Sequence, residues 1–369
     1  METLTLPLLS SPPSFLETPA EQLRAWFAER GEPAMRLKQV RRWLLTGRAS
    51  SFALMTDLPL GLRERLDERF RPFGSRVDRA MVSSDGTEKL LVRLADGNLI
   101  ECVLLKEADR RTVCISTQVG CGMGCVFCAS GIGGVVRNLT ATEILEQLLH
   151  VRNRLPADER LSHVVVMGMG EPMANLEPLL EALDVACSPE GLGMSARHIH
   201  ISTVGLPAKM RRLADMGKQY HLAVSLHAPT DALRNQIVPT NDKVGLAAIL
   251  EAADYFQAKT GRQVTYEYVL LRGVNDRAED ASGLVQLLRG RQGHINLIPF
   301  NDVAGLPFRR LTQDSLTEFV EILRSARLSV TVRKRHGADI DAACGQLRRE
   351  AMAAPLGNPS AELHSAAGV

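Results

Sequence analysis

Apolar positions recur with three rhythms along the chain, and each rhythm predicts a different kind of element. In "TPAEQLRAWFAERGEPAMRLKQVRRWLLTG" the spacing is helical, with Leu23, Trp26 and Phe27 on one face and Val40, Trp43 and Leu44 on another. Thr18 in front, and Gly31 with Pro33 behind, punctuate the first helix. With the further helical stretch "LGLRERLDERF", residues 19–74 are expected to form a small all-α domain after a loose Pro- and Ser-rich lead-in at 1–18. The second rhythm is alternation: "TEKLLVRLADGNLIECVLLK" runs apolar-polar around Asp96-Gly97, a hairpin signal that makes 75–111 a β-hairpin linker.

From residue 112 the apolar runs are short, β-branched and separated by helix-length amphipathic segments. "TVCISTQV", "LSHVVVMGMG", "RHIHISTVG", "YHLAVSLHA", "VTYEYVLLRG" and "HINLIPFN" read as six strands of parallel β/α units, with "LSVTVRKR" as a closing strand. The fold class is therefore α/β, with the body at 112–348 and a flexible Gly/Ala/Pro-rich tail at 349–369. Gly, Ser, His and Asn cluster at the ends of these runs, and such strand ends gather at the carboxyl edge where β/α proteins keep their active sites.

Composition changes this picture in two ways. At 369 residues, with 45% hydrophobic and 23% charged positions, the chain suits one large domain with a smaller companion. A net charge of +2 excludes a molecule that attracts polyanions over its whole surface, so any nucleic-acid contact must be local. One stretch offers it: between Arg36 and Arg48 there are five basic residues and no acid. Arg36, Lys38, Arg41 and Arg42 are thus either a solvated helix face or contacts to RNA phosphates. The start "METLTLPLLSSPPSFLE" lacks a basic segment and is broken by prolines, and no run approaches the length of a membrane span. A cytoplasmic, monomeric protein with no membrane partner is expected.

Seven cysteines make an odd set, and three of them, Cys121, Cys125 and Cys128, fall within "CGMGCVFC". That is a poor disulfide framework and a good metal or cofactor cluster. Three thiolates can hold three irons of a 4Fe-4S cluster and leave the fourth iron open. A structural zinc site would need a fourth ligand; no second cysteine knuckle exists, although one of the nine histidines could complete it.

The CxxxCxxC spacing, with Phe127 just before the last cysteine and a six-fold β/α series around it, resembles the radical S-adenosylmethionine (SAM) superfamily. That resemblance implies a partial (β/α)6 barrel and a fourth iron chelated by the amino and carboxylate groups of SAM. It also implies an electron, from a donor such as flavodoxin, that cleaves SAM to a 5′-deoxyadenosyl radical. "MGMGEP" resembles the family's GGEP strand end, which would bring Gly170 and Glu171 to the SAM amino group; as a lone motif, Glu171 would read as an ordinary helix N-terminal acid.

"CISTQVGCGMGC", "CASGIGGVVRNLTATEI", "RKRHGADIDAACGQL", "GEPAMRLKQVRRWLL" and "MTDLPLGLRERL" together resemble the RlmN and Cfr family of radical SAM RNA methyltransferases, from about residue 20 to about residue 350. The resemblance implies that Cys344 is methylated by one SAM and loses a hydrogen to the radical made from a second. The resulting methylene radical would add to adenine, Glu101 would accept the ring proton, and Cys114 would release the base through a transient disulfide with Cys344. Phe127, Ser202, Ser225, Leu226, His227 and Asn301 match positions of the family's cofactor site. The substrate implied is carbon 2 of an adenosine in 23S rRNA, with an adenosine in tRNA as a second candidate; Cfr-like attack at carbon 8 is the alternative, and a non-catalytic metal-containing RNA-binding protein is the alternative of another class.

Read without the resemblance, Cys114 and Cys344 would be small buried hydrophobes and Glu101 a surface residue of a hairpin. Cys102 and Cys187 are taken as structural. His198 and His200 lie on one side of a strand, as packed histidines or as a metal pair. Departures from the family pattern fall at Ile132, Gly133, Val135 and Val204, and bear on the shape of the RNA or SAM pocket.

Overall fold

The structure, a computed structural model, describes residues 12–303 and 305–347. It opens with three helices, α1 (Ala20–Glu29), α2 (Met35–Leu45) and α3 (Leu60–Arg69). Leu23, Trp26 and Phe27 are buried on α1, and Val40 and Leu44 on α2. Trp43 is only half-buried, and its indole N–H donates to Asp57. Residues 12–18, expected as part of a loose lead-in, are packed instead. Phe15 is fully buried, edge-on to Phe27, Phe52 and Phe70 at 6.5, 6.0 and 5.6 Å, because three helices this short need an aromatic plug to complete their core. Thr18 does not cap α1; its hydroxyl donates to the Ser14 carbonyl at 2.6 Å. The rest of the lead-in, 1–11, and the tail, 349–369, lie outside the described residues.

Strands β1 (Arg76–Val82), β2 (Glu88–Arg93), β3 (Leu99–Lys106) and β4 (Arg111–Cys114) follow as an antiparallel series. The hairpin expected around Asp96-Gly97 is β2–β3, but it is no separate linker: β3 pairs with β4, so the hairpin is one margin of the main sheet. After β4 come a small ribbon of β5 (Gln118–Gly120) and β6 (Val135–Asn138), then α4 (Ala141–Arg154). The parallel strands continue as β7 (His163–Val166), β8 (Ile199–Thr203), β9 (His221–Ser225), β10 (Val264–Leu270), β11 (Gly293–Pro299) and β12 (Ser329–Val332). Between them lie α5 (Leu176–Cys187), α6 (Pro207–Asp215), α7 (Asp231–Ile237), α8 (Leu246–Thr260), α9 (Ala278–Leu287) and α10 (Gln313–Ser325).

The main sheet has ten strands in the order β1-β2-β3-β4-β7-β8-β9-β10-β11-β12, parallel from β4 onward. This is the expected α/β architecture of a partial barrel. Helices cover its outer face, so Ile199, Ile201, Leu222, Val224, Tyr266 and Tyr268 are buried against them while the alternate positions face the lumen. Two arginines lock the helical region onto the barrel. Arg48 donates to the Leu155 and Pro156 carbonyls, at 2.9 and 2.8 Å, where α4 ends. Arg152 of α4 returns the contact to the Leu44 and Leu45 carbonyls, where α2 ends; each side chain satisfies orphan carbonyls of the other helix.

No helix among the described residues is long and apolar enough to cross a membrane. Nor do three His, Cys, Asp or Glu side chains among them form a group able to hold one metal ion. His198 is exposed and stacks on His163, while His200 is half-buried and stacks on His221, each pair with centroids 4.4 Å apart.

Candidate active site

Beyond β4 the chain makes the β5–β6 ribbon before α4, with Gln118 opposite Asn138 and Val119 opposite Arg137. This ribbon closes the base of the loop that carries Cys121, Cys125 and Cys128. Gly120 makes the closure feasible: its φ is +80°, and a Cβ there would lie 2.1 Å from the Gly134 carbonyl oxygen. Gly170, past the end of β7, has φ +104° and packs so closely on Gln118 that a Cβ would come within 2.7 Å of it.

The three cysteines face a cavity of about 910 Å³, open mouth included, at the carboxyl edge of the sheet. Phe127, Gly170, Glu171, Ser202, Ser225, His227 and Asn301 line the same cavity, so the structure brings together nearly the whole cofactor set expected from the sequence. Leu226 is the exception. Its side chain is fully buried in the hydrophobic core, its N–H donates to the Glu267 carbonyl, and its own carbonyl accepts from Arg234. Alternation along β9 explains this: a residue next to the lumen-facing Ser225 points to the helices.

The residues present suit an iron–sulfur cluster with a polar ligand beside it. Burial pushes the Cys121 thiol up to about 11 and raises Cys125 and Cys128 as well. Thiols in such a setting ionise when a cation binds them, and soft thiolate donors favour iron–sulfur clusters or zinc. A cluster takes each thiolate on a different iron, and all three cysteines line this one cavity. On the ligand side, the buried Oδ1 of Asn301 has no hydrogen-bond partner, while its Nδ2 donates to the Cys344 carbonyl at 3.2 Å. An acceptor left over in a cavity wall suits an N–H or O–H of a bound molecule.

Glu171 both lines the cavity and joins strand ends: its carboxylate accepts from the Met173 and Val204 N–H groups, each at 2.9 Å, at the ends of β7 and β8; burial raises its pKa. His227 adopts a left-handed φ of +63°, with Nδ1 accepting from the Val269 N–H at 3.1 Å and the Phe127 ring edge-on at 5.0 Å. Burial lowers His227 to about 3, so it is a neutral imidazole at physiological pH.

Two buried groups here escaped the sequence reading. Glu267 accepts from the Ser202 hydroxyl at 2.8 Å and pairs with Arg333 at 3.5 Å. A lone acid inside the apolar run "VTYEYVLL" was the signal that could have found it. Arg234 donates to the carbonyls of Val204, Ser225 and Leu226 and so fixes the ends of β8 and β9. An arginine in the short helix α7 carries no local mark of that task.

A second cavity, of about 580 Å³, adjoins the first. Cys114, Val103 and Leu105 form part of its wall, and Arg310, Lys334 and Arg335 make it basic. Cys344, Asn301 and Arg333 line both cavities, which places Cys344 on the shared wall. Cys114 and Cys344 are both free thiols, so the disulfide expected between them is not formed in this structure. Burial pushes Cys114 up to about 12, reinforced by Cys344 and opposed by the Arg333 guanidinium.

Glu101 is buried rather than exposed on a hairpin, and Lys89 pairs with it at 3.1 Å. Antiparallel register puts Val103 opposite Cys114, so Glu101, two residues from Val103, shares the face that carries Cys114. Cys102 is fully buried in the core and Cys187 packs against it, as structural residues would.

The basic stretch on α2 is only partly free. Arg36 lies 3.9 Å from Glu32, four residues earlier, and Arg42 pairs with Asp57, an acid that the local sequence does not show. Arg48 is spent on the interdomain carbonyls. Among the described residues Lys38 and Arg41 have no ion pair. Of the departures from the family pattern, Ile132 and Val135 are exposed on the cysteine loop, whereas Val204 lies in the first cavity.

Residues 115–285 match the model of the radical SAM superfamily, and residues 14–71 match that of a ribosomal RNA large subunit methyltransferase N-terminal domain. A probable dual-specificity RNA methyltransferase RlmN from Rhodopirellula baltica is 56% identical over 329 residues, 89% of either chain. One from Symbiobacterium thermophilum, also described as a probable dual-specificity RNA methyltransferase RlmN, is 46% identical over 91% of either chain. The crystal structure of a radical SAM methyltransferase from Sphaerobacter thermophilus superposes with a TM-score of 0.87 at 41% identity, over 92% of this chain and all of that one.

Proposed function

The chain belongs to the RlmN family of radical SAM RNA methyltransferases, and from that premise we propose that it methylates carbon 2 of an adenosine in 23S rRNA, with an adenosine in tRNA as a second substrate. The words "dual-specificity" in the names of its relatives support two RNA classes. In this reading Cys121, Cys125 and Cys128 hold a 4Fe-4S cluster, and Phe127, Gly170, Glu171, Ser202, Ser225, His227 and Asn301 hold SAM beside it. Cluster and SAM together supply the methyl group and the radical chemistry, using an electron from a donor such as flavodoxin in the cytoplasm.

The observation that carries the reading is the position of Cys344 on the wall between the two cavities. From there it can receive a methyl group on the cofactor side and present it, as S-methylcysteine, to an adenine in the basic cavity. Attack on carbon 2 needs a base for the displaced ring proton, and Glu101 is the acid on that face of the sheet. Cys114, in the wall of the second cavity, is the thiol that displaces the methylated base from Cys344. A structural metal module has no use for this trio.

RNA would approach over the basic rim at Arg310, Lys334 and Arg335, with the target base unstacked into the cavity. Lys38 and Arg41, free of ion pairs among the described residues, are the phosphate contacts proposed on α2. Replacing both by alanine is expected to lower the salt dependence of RNA binding by about two counterions. An unchanged slope removes them from the interface.

The decisive experiment is to reconstitute the enzyme without oxygen, supply SAM, reductant and unmodified 23S rRNA, and analyse the digested RNA by mass spectrometry. 2-Methyladenosine is the expected product. 8-Methyladenosine would move the activity to the Cfr type, and SAM cleavage without either base would leave the radical chemistry but remove the substrate.

A further inference from the structure

Lys89 is buried in β2, with its side chain only 7% exposed. A buried ammonium is costly unless it is paired, and a well-packed apolar pair in its place is often as stable or more so. Its contacts therefore invite a functional account. Nζ lies 3.1 Å from Oε1 of Glu101, itself 7% exposed, and donates to the Asp341 carbonyl at 3.1 Å.

The sheet register explains how these groups meet. Lys89 lies opposite Val103, and Val103 lies opposite Cys114, so Lys89, Glu101, Val103 and Cys114 share one face of β2–β3–β4. The segment that crosses this face carries Cys344 three residues after Asp341. Asp341 is held at a left-handed φ of +50°, a strained conformation for a residue with a Cβ, and Gln346 braces it from the other side with Nε2 3.4 Å from Asp341 Oδ1.

We propose that Lys89 is a positioning residue for proton removal, holding the Glu101 carboxylate and the Cys344 segment in one fixed relation through its two contacts. This rests on the reading of Glu101 as proton acceptor. In the step concerned, the ring radical left by methylene addition passes its unpaired electron to a one-electron acceptor of the iron–sulfur class. The C–H bond at the substituted ring carbon breaks, its electron pair restores the aromatic ring, and the proton goes to a Glu101 oxygen. Lys89 keeps its own proton and supplies the counter-charge that a buried carboxylate requires. With the relation lost, the ring keeps its proton and stays joined to Cys344.

The test uses the full-length reconstituted enzyme with SAM and 23S rRNA, in the forms Lys89→Gln, Lys89→Arg and Glu101→Gln. Three quantities are read: cluster absorbance with single-turnover 5′-deoxyadenosine, covalent protein–RNA adduct on denaturing gels, and released methylated RNA. Lys89→Gln should keep the cluster and 5′-deoxyadenosine formation, release methylated RNA at least about tenfold more slowly, and accumulate adduct. Glu101→Gln should accumulate adduct too, and Lys89→Arg should recover most of the release. Normal release from Lys89→Gln overturns the proposal, as does loss of 5′-deoxyadenosine formation, which would assign Lys89 to the fold. Normal release from Glu101→Gln removes the proton-acceptor reading itself, a failure distinct from that of Lys89.

Discussion

The two ends of the barrel lumen are built from the same strands and the same kinds of side chain, yet they are finished differently. At the amino ends, imidazoles spend themselves on one another and on neighbours: His163 stacks on His198, His200 stacks on His221, and His294 bonds to the hydroxyls of Ser329 and Thr331, both at 2.8 Å. At the carboxyl ends a cavity remains, Asn301 Oδ1 has no partner, and five cysteines are free in the walls of the two cavities. Polar groups in a protein are thus a poor guide to function by their presence. Unpartnered buried atoms alone do not separate the two ends, since Tyr220 Oη and Arg262 Nε at the amino ends also lack a partner. What separates them is that the carboxyl end gathers free thiols and an unpartnered acceptor around its cavities.

Substitutions can break or sharpen that contrast. The largest effect is expected for Cys344→Ala, which should cut RNA methylation by at least about a thousandfold, whereas Cys187→Ala, outside the cavities, should stay within about twofold. Methyladenosine counted by mass spectrometry checks both. Cys114→Ala should trap a covalent RNA adduct on Cys344, visible as a shifted band on a denaturing gel; release of methylated RNA at the normal rate would leave Cys114 without its role.

Asn301→Ala removes the unspent acceptor and should weaken SAM binding about tenfold, the worth of roughly one good hydrogen bond, as read by equilibrium binding to the reconstituted enzyme. Unchanged affinity would mean that the orphaned oxygen does not face the cofactor.

The smallest effect on activity belongs to the amino end. His200 is lowered to about 4 by burial and by the neighbouring His221, His163, Arg262 and Arg333. The unfolded chain therefore binds a proton below its ordinary value of 6.5 that the folded chain refuses, so this contribution to stability is present above pH 6.5 and is lost as the pH falls towards 4. His200→Gln should leave methylation within about twofold and flatten the fall in unfolding free energy, read from urea denaturation, across that window, by at most about 1.4 kcal/mol per pH unit. An unaltered pH slope would show that His200 titrates as it does in the unfolded chain.

Periodicity made the architecture legible, because a helix face and a buried strand must each repeat apolar residues at a set spacing wherever they occur. The six strands, the closing strand and the Asp96-Gly97 hairpin all appear as read, and the cysteine loop is where its spacing put it. Packing of Phe15 was missed because a single aromatic in a Pro- and Ser-rich stretch has no period.

Charge was the least legible feature. The stretch from Arg36 to Arg48 is free of acids along the chain, but Asp57 meets Arg42 in space. Partnerships between residues far apart in sequence leave no local trace.

What the sequence by itself determined is the periodic elements (the parallel strands, the hairpin and the N-terminal helices) and the identity of the thiols and carboxylates, since local spacing and residue chemistry suffice for both. Only the tertiary structure decided which of them are spent and which are left open. Lys89 against Glu101, Glu267 against Arg333 and Leu226 turned into the core follow from strand register and lumen-facing alternation, and Arg234 on three carbonyls from the packing of α7 on the strand ends. Those relations exist only once the sheet has formed, because register, not sequence distance, sets who faces whom.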